Sequence, residues 1–180
     1  MIRAGRAAVE RFDRRVDDAF DAVRGRKAVD RAMYALSELG DFSLIWHIAS
    51  AAIAVGGGPR GERRALRLSS ALAVESVLVN GVLKSVTRRT RPEVVTDRPH
   101  TLRTPRTSSF PSGHASSAAC ASVLLCEGAG PLEQVAWTSL AALVAASRVH
   151  VRIHHASDVV GGVVVGTALG IAIRRRWPLR

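Results

Sequence analysis

Apolar residues along this chain gather into long runs, and short breaks separate one run from the next. Five such runs of 14 to 21 residues cover positions 42–55, 66–86, 113–126, 132–147 and 159–173. Glycine and proline, which interrupt helices, occupy the breaks at 56–59 and 128–131. The pattern predicts an all-α fold, a membrane-embedded bundle of about five spanning helices.

The first forty residues carry a different pattern, with apolar positions three, four or seven residues apart. These positions form one stripe of a helix: Ile2, Val9, Phe12, Val16, Phe20 and Val23. Such an amphipathic helix either lies in the membrane interface or packs on the protein's own surface. A second, shorter helix is predicted over 28–39, ended by Gly40. We therefore divide the chain into an amphipathic N-terminal helical segment, 1–40, and a transmembrane domain, 41–180.

The composition bears on whether these runs cross a membrane. Hydrophobic residues make up 47% of the 180 residues and charged residues 23%, with a mean hydropathy of +0.12. Both fractions are high when charge and apolarity are segregated along the chain, as in a small membrane protein. Five apolar runs also exceed what so small a core can bury. Most runs are shorter than the roughly 20 residues that a span prefers, which leaves a soluble helical protein as the alternative.

Charge and cysteine content narrow the expected partners. The net charge of +11 predicts loops that are attracted to the anionic headgroups of a bilayer. Nucleic acid is not expected as a partner, because aromatic residues make up only 4% and no recognised nucleic-acid-binding module is present. Cys120 and Cys126 share one apolar run, and we interpret them as small apolar residues rather than as a disulfide or a metal site.

Several residues inside the apolar runs predict how the helices pack. Glu75 and Asn80 interrupt the second run, and polar groups in such a run usually face the bundle interior. We interpret Glu75 as a structural residue that bonds between helices. In the last run, Gly162, Gly166 and Gly170 recur at every fourth position, a spacing that lets two helices approach closely.

A candidate anion site stands directly before the third run. The stretch 109–114 reads Ser-Phe-Pro-Ser-Gly-His. Pro111 sets up a turn, and Ser112 and Gly113 are residues that open helices, so that the first N–H groups of the helix would point at an anion. His114 would stand in the first turn beside that anion. Alone, this is a weak signal, because helices often begin in this way for capping only.

Two further stretches strengthen the signal. Upstream, Lys84 is followed seven positions later by Arg91 and then by a proline. Downstream, Arg148 is followed six positions later by His154, and Asp158 comes four beyond. If 154–158 is helical, the last two side chains share one face. The carboxylate can then hold one imidazole nitrogen and leave the other as a nucleophile.

Together, the three stretches resemble those of the type 2 phosphatidic acid phosphatases, which share a superfamily with vanadium haloperoxidases and bacterial acid phosphatases. The pattern of that family is Lys-x6-Arg-Pro, then Pro-Ser-Gly-His, then Ser-Arg-x5-His-x3-Asp. All three parts match here, in order and with the right spacing, from Lys84 to Asp158. The first eighty residues carry no part of the pattern.

The resemblance implies a metal-independent phosphatase that needs no cofactor and forms a phosphohistidine. It implies His154 as the nucleophile, Asp158 as the group that orients it and His114 as the general acid. It also implies a set of residues that bind the phosphate oxygens: Lys84, Arg91, Ser112, Gly113 and Arg148. The remaining histidines match no position of the pattern: His47, His100, His150 and His155.

Three functions stay open at this point: a lipid phosphatase in the membrane, a soluble acid phosphatase or haloperoxidase-like enzyme, and a non-catalytic cationic membrane protein. For the first, the expected substrate is a phosphomonoester or diphosphate of a membrane lipid. The candidates are a polyprenyl-phosphoryl sugar phosphate, a polyprenyl diphosphate, phosphatidic acid and phosphatidylglycerol phosphate. The oligomeric state is not predicted.

The distribution of basic residues predicts the orientation in the membrane. Residues 1–40 hold nine Lys and Arg, and the positive-inside rule keeps such a segment in the cytoplasm. Two predicted spans bring the chain back to the same side at the loop 88–110, and two more bring it back at 148–158. All three motifs therefore lie on one face, which predicts a multi-pass protein of the cell membrane with a cytoplasmic active site. The long basic loop 88–110 contains three prolines, and we interpret it as a lid or substrate gate.

Overall fold

Each apolar run forms a helix in the computed structural model of this chain, which describes residues 2–93, 102–103 and 107–179. The helices are α1 (Ile2–Asp21), α2 (Lys27–Leu39), α3 (Leu44–Gly56), α4 (Gly58–Ser76), α5 (Lys84–Val86), α6 (Gly113–Leu125), α7 (Pro131–His150) and α8 (Ala156–Arg176). A 3₁₀ turn, Asp41–Ser43, joins α2 to α3, and a π-helical segment, Val77–Leu83, joins α4 to α5. The predicted all-α fold with an amphipathic N-terminal helix is confirmed.

The second apolar run belongs to a longer helix than its apolar residues indicated. Helix α4 begins at Gly58, with Pro59 in its first turn, where the missing N–H of proline is tolerated. Together with the π-helical segment and α5 it forms a rod of 29 residues, Gly58–Val86. The rod brings Lys84 to the end of the bundle that holds the other two motifs.

Two helices of the described part of the chain are long and apolar enough to cross a membrane, the rod Gly58–Val86 and α8. The pair Lys27–Leu39 and Asp41–Gly56, bent by 69°, makes a third if it is one broken span. The expected number of about five spans is therefore only approximate. Helix α6 has 13 residues, and at about 1.5 Å per residue it is shorter than a hydrocarbon core of roughly 30 Å.

The outer surface of the bundle exposes many large apolar side chains. In the most apolar stretch of 18 residues, only 33% is buried within the protein for the rod and 28% for α8. Large exposed side chains there include Leu66, Val74, Val77, Val82, Val86, Val160 and Val164. Such a surface fits contact with lipid tails, and the protein is a membrane protein rather than the soluble alternative.

Close packing of α6 against α8 fixes the relative height of two motifs. Gly162, Gly166 and Gly170 are all buried along α8. A Cβ atom on Gly166 would clash with the carbonyl oxygen of Ser116, and one on Gly162 with the carbonyl oxygen of Ser112. The stripe of small residues thus serves the close approach that its spacing predicted.

The apolar core lies between α3, α4, α6 and α7. Its fully buried members include Trp46, Leu68, Leu72, Ala118, Leu124 and Val144. Glu75 is 1% exposed, which confirms that it faces the interior. Asn80 is exposed, but its Oδ1 atom accepts a hydrogen bond from the ammonium group of the buried Lys84 at 2.8 Å.

The N-terminal segment packs on the end of the bundle that carries the motifs. Arg24, after α1, donates to the carbonyl oxygens of Val149 and His150 at 2.8 and 2.9 Å. Asp30 on α2 is 2.8 Å from Nε2 of His150. Val9 and Phe12 of the apolar stripe stay exposed, at 43% and 44%. Contact with the protein is thus established for α1, while its contact with the membrane interface and the boundary at residue 40 stay predictions.

Candidate active site

The three motif stretches meet where α6 and α8 begin and α5 and α7 end. The amide of Ser112 donates to the carbonyl oxygen of Asp158 at 3.0 Å, which joins the first turns of α6 and α8. The amides of Ile153 and His154 both donate to the carbonyl oxygen of Arg148 at 3.1 Å. These bonds hold the turn between α7 and α8 in a tight loop.

His154 lies in that loop and not, as the spacing suggested, in a helix with Asp158. The pair still meets, because α8 begins at Ala156 and places Asp158 in its first turn. The Nδ1 atom of His154 is 3.6 Å from Oδ2 of Asp158, and both side chains are buried. The separation is longer than a normal hydrogen bond, and catalytic contacts of this kind often tighten only when substrate binds.

The surroundings of His154 define its tautomer. Its Nε2 atom is 3.2 Å from Nη1 of Arg91. A guanidinium group can only donate, so Nε2 accepts and carries the lone pair. The proton then resides on Nδ1, on the side of Asp158.

The same surroundings keep His154 uncharged. Burial lowers the pKa of His154 to about 3, and the neighbouring Arg148 and Arg91 act in the same direction, against the raising effect of Asp158. Burial dominates because a charged imidazolium loses its hydration in the interior. At neutral pH the imidazole is therefore neutral, as a nucleophile must be.

The carboxylate of Asp158 is held from several sides. Its Oδ2 atom accepts from the hydroxyl of Ser109 at 2.5 Å and from the amide of His155 at 2.9 Å. Its Oδ1 atom accepts from Nη1 of Arg89 at 2.7 Å. The side chain is fully buried, and these donors fix its orientation towards His154.

His114 stands in the first turn of α6, as predicted, and contacts the N-terminal part of the chain. Its Nε2 atom is 3.1 Å from the carbonyl oxygen of Ser37 and 3.1 Å from Oδ1 of Asp41. Gly40, between these residues, leaves room for the ring, since a Cβ atom there would collide with Cδ2 of His114. The candidate general acid is thus seated against the end of α2.

The predicted phosphate-binding residues line the same end of the bundle. Ser112 caps α6, its Oγ accepting from the amide of Ala115 at 3.4 Å. A Cβ atom on Gly113 would lie 3.6 Å from Nζ of Lys84, so the ammonium group is next to the helix N-terminus. Arg148 is 1% exposed and donates to the hydroxyl of Ser37.

Arg91 is anchored to the backbone of two segments. It donates to the carbonyl oxygens of Ile153 and Thr107 at 3.1 and 3.2 Å. Lys84 lies at the N-terminus of α6, while Arg91 and Arg148 lie beside His154, and together they make the site strongly cationic. Such a set of donors binds a phosphate group and stabilises the negative charge of its transition state.

Comparison with known proteins agrees with this geometry. Residues 64–180 match the model of the PAP2 superfamily. The chain belongs to the PAP2 superfamily. It is 37% identical over 141 residues to the decaprenylphosphoryl-5-phosphoribose phosphatase of Mycolicibacterium smegmatis, a match that covers 78% of this chain and 75% of that protein. The phosphatase of the same name from Mycobacterium tuberculosis H37Rv is 33% identical over 144 residues, covering 77% and 75%.

Two solved structures share the fold of this PAP2 chain. One is the transmembrane PAP2-type phosphatidylglycerolphosphate phosphatase of Bacillus subtilis, with a TM-score of 0.73, 24% identity and coverage of 94% of this chain and 86% of that one. The other is LpxE of Aquifex aeolicus, with a TM-score of 0.73, 20% identity and coverage of 92% and 93%. The family and the phosphatase class implied by the motifs are confirmed, as is the membrane location predicted from the apolar runs.

The remaining histidines of this PAP2 chain lie outside the phosphate cluster or serve the fold. His155 is the N-cap residue of α8, and His150 is paired with Asp30. His47 is exposed on α3. His100 lies outside the described residues, as do positions 94–101 and 104–106 of the loop 88–110, so the role of this loop as a lid or substrate gate stays a prediction.

Within the described part of the chain, the residues that contact the site but were not singled out from the sequence include Asp13, Ser37, Asp41 and Arg89. Their partners are up to 144 positions away along the chain, and a spacing rule reaches only neighbours on one helix. The sequence offered only a weak indication that Asp13 is buried, namely its place next to Phe12 of the apolar stripe of α1.

Proposed function

We propose that this PAP2 protein removes a phosphate group from a membrane lipid through a covalent phosphohistidine on His154. The observation that carries the proposal is the placement of the two ring nitrogens of His154: Nε2 faces Arg91 in the cationic cluster, and Nδ1 faces Asp158. Nε2 attacks phosphorus, and the bond between phosphorus and the leaving oxygen breaks. Asp158 stabilises the positive charge that the imidazole gains.

His114 completes both half-reactions. It donates a proton to the leaving oxygen of the lipid in the first step. In the second step it takes a proton from a water molecule, whose oxygen attacks the phosphohistidine. The bond between phosphorus and Nε2 breaks, inorganic phosphate leaves, and His154 returns to its neutral state. Lys84, Arg91 and Arg148 hold the phosphate oxygens in both steps.

We propose a polyprenyl-phosphoryl sugar phosphate as the substrate. Support comes from the two mycobacterial relatives, which are decaprenylphosphoryl-5-phosphoribose phosphatases and match three quarters of their length. Polyprenyl diphosphate, phosphatidic acid and phosphatidylglycerol phosphate are the competing lipids.

The test is phosphate release by the purified protein in detergent micelles, with each of these lipids supplied separately. The His154→Ala variant is the catalytic control, and His47→Ala, an exposed histidine on α3, is the matched control. Release from the polyprenyl-phosphoryl sugar phosphate, lost in His154→Ala and kept in His47→Ala, is expected. Faster release from one of the other lipids would reassign the substrate, and undiminished release by His154→Ala would exclude the phosphohistidine.

We further propose that the active site lies on the cytoplasmic face of the cell membrane. The nine basic residues in the first forty support this orientation, and α1 and α2 contact the motifs directly. Cysteine at Thr101, outside the described residues, or at the exposed Ala19 of α1 would test it in a Cys120→Ala/Cys126→Ala background. A membrane-impermeant thiol reagent should leave both unlabelled in intact cells, while cysteine at Ala129, in the turn at the opposite end, should be labelled. The reverse pattern would place the site outside.

A further inference from the structure

We propose that Asp13, on the N-terminal helix α1, is a positioning residue of the phosphatase reaction: it acts through Arg89 and the first turn of α8 on Asp158, and so on His154. The inference rests on the proposed phosphohistidine mechanism. Asp13 lies outside the part of the chain that matches the family model, which begins at residue 64. No motif of the sequence includes it.

Asp13 is a buried carboxylate with good hydrogen-bond geometry. It is 8% exposed, although it sits on a helix whose surface is otherwise largely open. Its Oδ2 atom accepts from Nη2 of Arg89 at 2.6 Å and from the hydroxyl of Ser157 at 2.9 Å. Its Oδ1 atom accepts from the amide of Ser157 at 2.8 Å. A helix that merely covered the bundle would not require a carboxylate here.

Arg89 joins this carboxylate to the catalytic one. One guanidinium nitrogen of Arg89, Nη2, bonds to Asp13, and the other, Nη1, bonds to Oδ1 of Asp158 at 2.7 Å. The same Nη1 is 2.7 Å from the hydroxyl of Ser157. The group of two carboxylates and one guanidinium carries a single net negative charge, which is the charge that the imidazolium of His154 needs beside it.

Removal of Asp13 would alter this balance. Arg89 would then face Asp158 alone, and an unshared guanidinium would neutralise the carboxylate that must stabilise His154 after attack. The amide of Ser157 is one of the N–H groups that a helix N-terminus leaves without an intrahelical partner. Asp13 satisfies it from a distant helix, next to the residue that carries the reaction. Charge and position of Asp158 therefore both depend on α1.

A purely structural role would attach α1 to the bundle without affecting the chemistry. Asp21 supplies the matched comparison on the same helix. It accepts from Nη2 of Arg152 at 2.7 Å, in the same loop between α7 and α8, but contacts neither Arg89 nor Asp158. Asp21→Asn removes the ion pairs of Asp21 with Arg24 and Arg152 and leaves the Asp13 network in place.

The experiment measures vanadate affinity and lipid phosphate hydrolysis on the full chain in detergent micelles. Inorganic vanadate is the probe, because in the phosphate seat it bonds to the nucleophilic nitrogen and reports the state of His154 without turnover. Asp13→Asn should weaken vanadate binding at least tenfold and lower kcat at least tenfold, with KM changed less than threefold. Asp21→Asn should stay within twofold of the unmodified protein in all three quantities.

A double-mutant cycle separates action through Arg89 from an independent effect. Arg89→Gln should show a loss of vanadate affinity similar to that of Asp13→Asn, and the double variant should lose at most threefold more than the weaker-binding single variant. The proposal is overturned if the two losses multiply, or if Asp13→Asn binds vanadate within twofold of Asp21→Asn. If Asp13→Asn does not fold, Arg89→Gln with unchanged vanadate affinity would overturn it equally.

Failure of the proposed function gives a different result. In that case the unmodified protein would release no phosphate from any of the four lipids, whatever the behaviour of the variants. Failure of the present proposal leaves the unmodified protein active and Asp13→Asn equal to Asp21→Asn.

Discussion

The region that carries the motifs and the N-terminal segment contribute to the site in different ways. The residues from Lys84 to Asp158 supply the groups that are proposed to touch phosphate. The first forty-three residues supply side chains and backbone that support these groups. Asp13 bonds to Arg89, and Ser37, Gly40 and Asp41 lie around Arg148 and His114. A cationic site assembled from four helix ends needs such contacts, because its arginines and lysine repel one another.

The comparison also shows where tolerance to substitution should differ. A group that reacts with phosphorus has a fixed chemical identity, since no other side chain supplies the same nucleophile or acid. A group that positions it needs only the right charge, size and place, and these can come from several sequences. The following predictions test this difference, from the largest expected effect on activity to the smallest.

The largest effect is expected at the reacting histidines. His154→Ala removes the nucleophile, and we expect it to lower kcat by about 10⁴-fold or more, while His114→Ala loses about 10²- to 10⁴-fold for want of a general acid. Phosphate release under saturating lipid measures both. His155→Ala, one residue away, should keep most of the activity, because the hydrogen bond that His155 gives to the Asp158 carboxylate comes from its backbone amide, which the substitution leaves in place. An equal loss in His155→Ala would remove the distinction between the two histidines.

A smaller loss is expected where the N-terminal segment seats the general acid. Gly40→Ala places a methyl group against Cδ2 of His114 and should displace the ring, with a loss of kcat of about 10²-fold, as expected for a misplacement of about 1 Å. The control is Gly56→Ala, whose added methyl group meets nothing within 4 Å. Unchanged turnover in Gly40→Ala would show that the end of α2 can move to accommodate the methyl group without displacing His114.

Asp41 should affect the same histidine more gently. Asp41→Asn keeps the shape of the side chain that lies 3.1 Å from His114 but removes its charge. We expect a loss of kcat of about tenfold, on the order of the 1.4 kcal/mol that one charge-assisted hydrogen bond contributes. Comparison with Ser43→Ala, in the same 3₁₀ turn, controls for a change in the turn itself. A variant as active as the unmodified protein would assign Asp41 to the fold alone.

Packing of α6 against α8 should influence stability more than chemistry. Gly166→Ala introduces a Cβ atom against the carbonyl oxygen of Ser116, and overpacking of this kind costs about 1–3 kcal/mol. The measurement is the midpoint of thermal unfolding in detergent. Gly81→Ala, where nothing lies within 4 Å of the added methyl group, is the matched change in the rod. Equal midpoints for the two variants would mean that α6 and α8 separate easily.

No effect is expected from removal of metal ions. The positive charge of the site comes from Lys84, Arg91 and Arg148, so turnover should survive an excess of EDTA. Vanadate should inhibit by occupying the phosphate seat. Activity that is lost on chelation and restored by a divalent cation would contradict this mechanism.

Much of the molecule follows from its sequence, and the reasons are local. The apolar runs determine helices, because a helix satisfies its own backbone within the segment. The glycines of α8 predict the face that packs. The three motifs predict which residues assemble, because Ser112 and Gly113 favour a helix start and the spacing of four residues keeps His154 close to Asp158. The element boundaries were less well predicted, as the early start of α4 at Gly58 and the non-helical His154 show.

Tertiary structure decided what local pattern could not. The partners of Asp158 include Arg89, which is 69 positions away, and those of His114 include Ser37, which is 77 positions away. Contacts across such distances depend on how whole helices lie against one another, and no periodicity in one segment records them. The burial that keeps His154 uncharged also depends on tertiary structure, since neighbours of its ring such as Arg91 and Asp158 come from different segments of the chain.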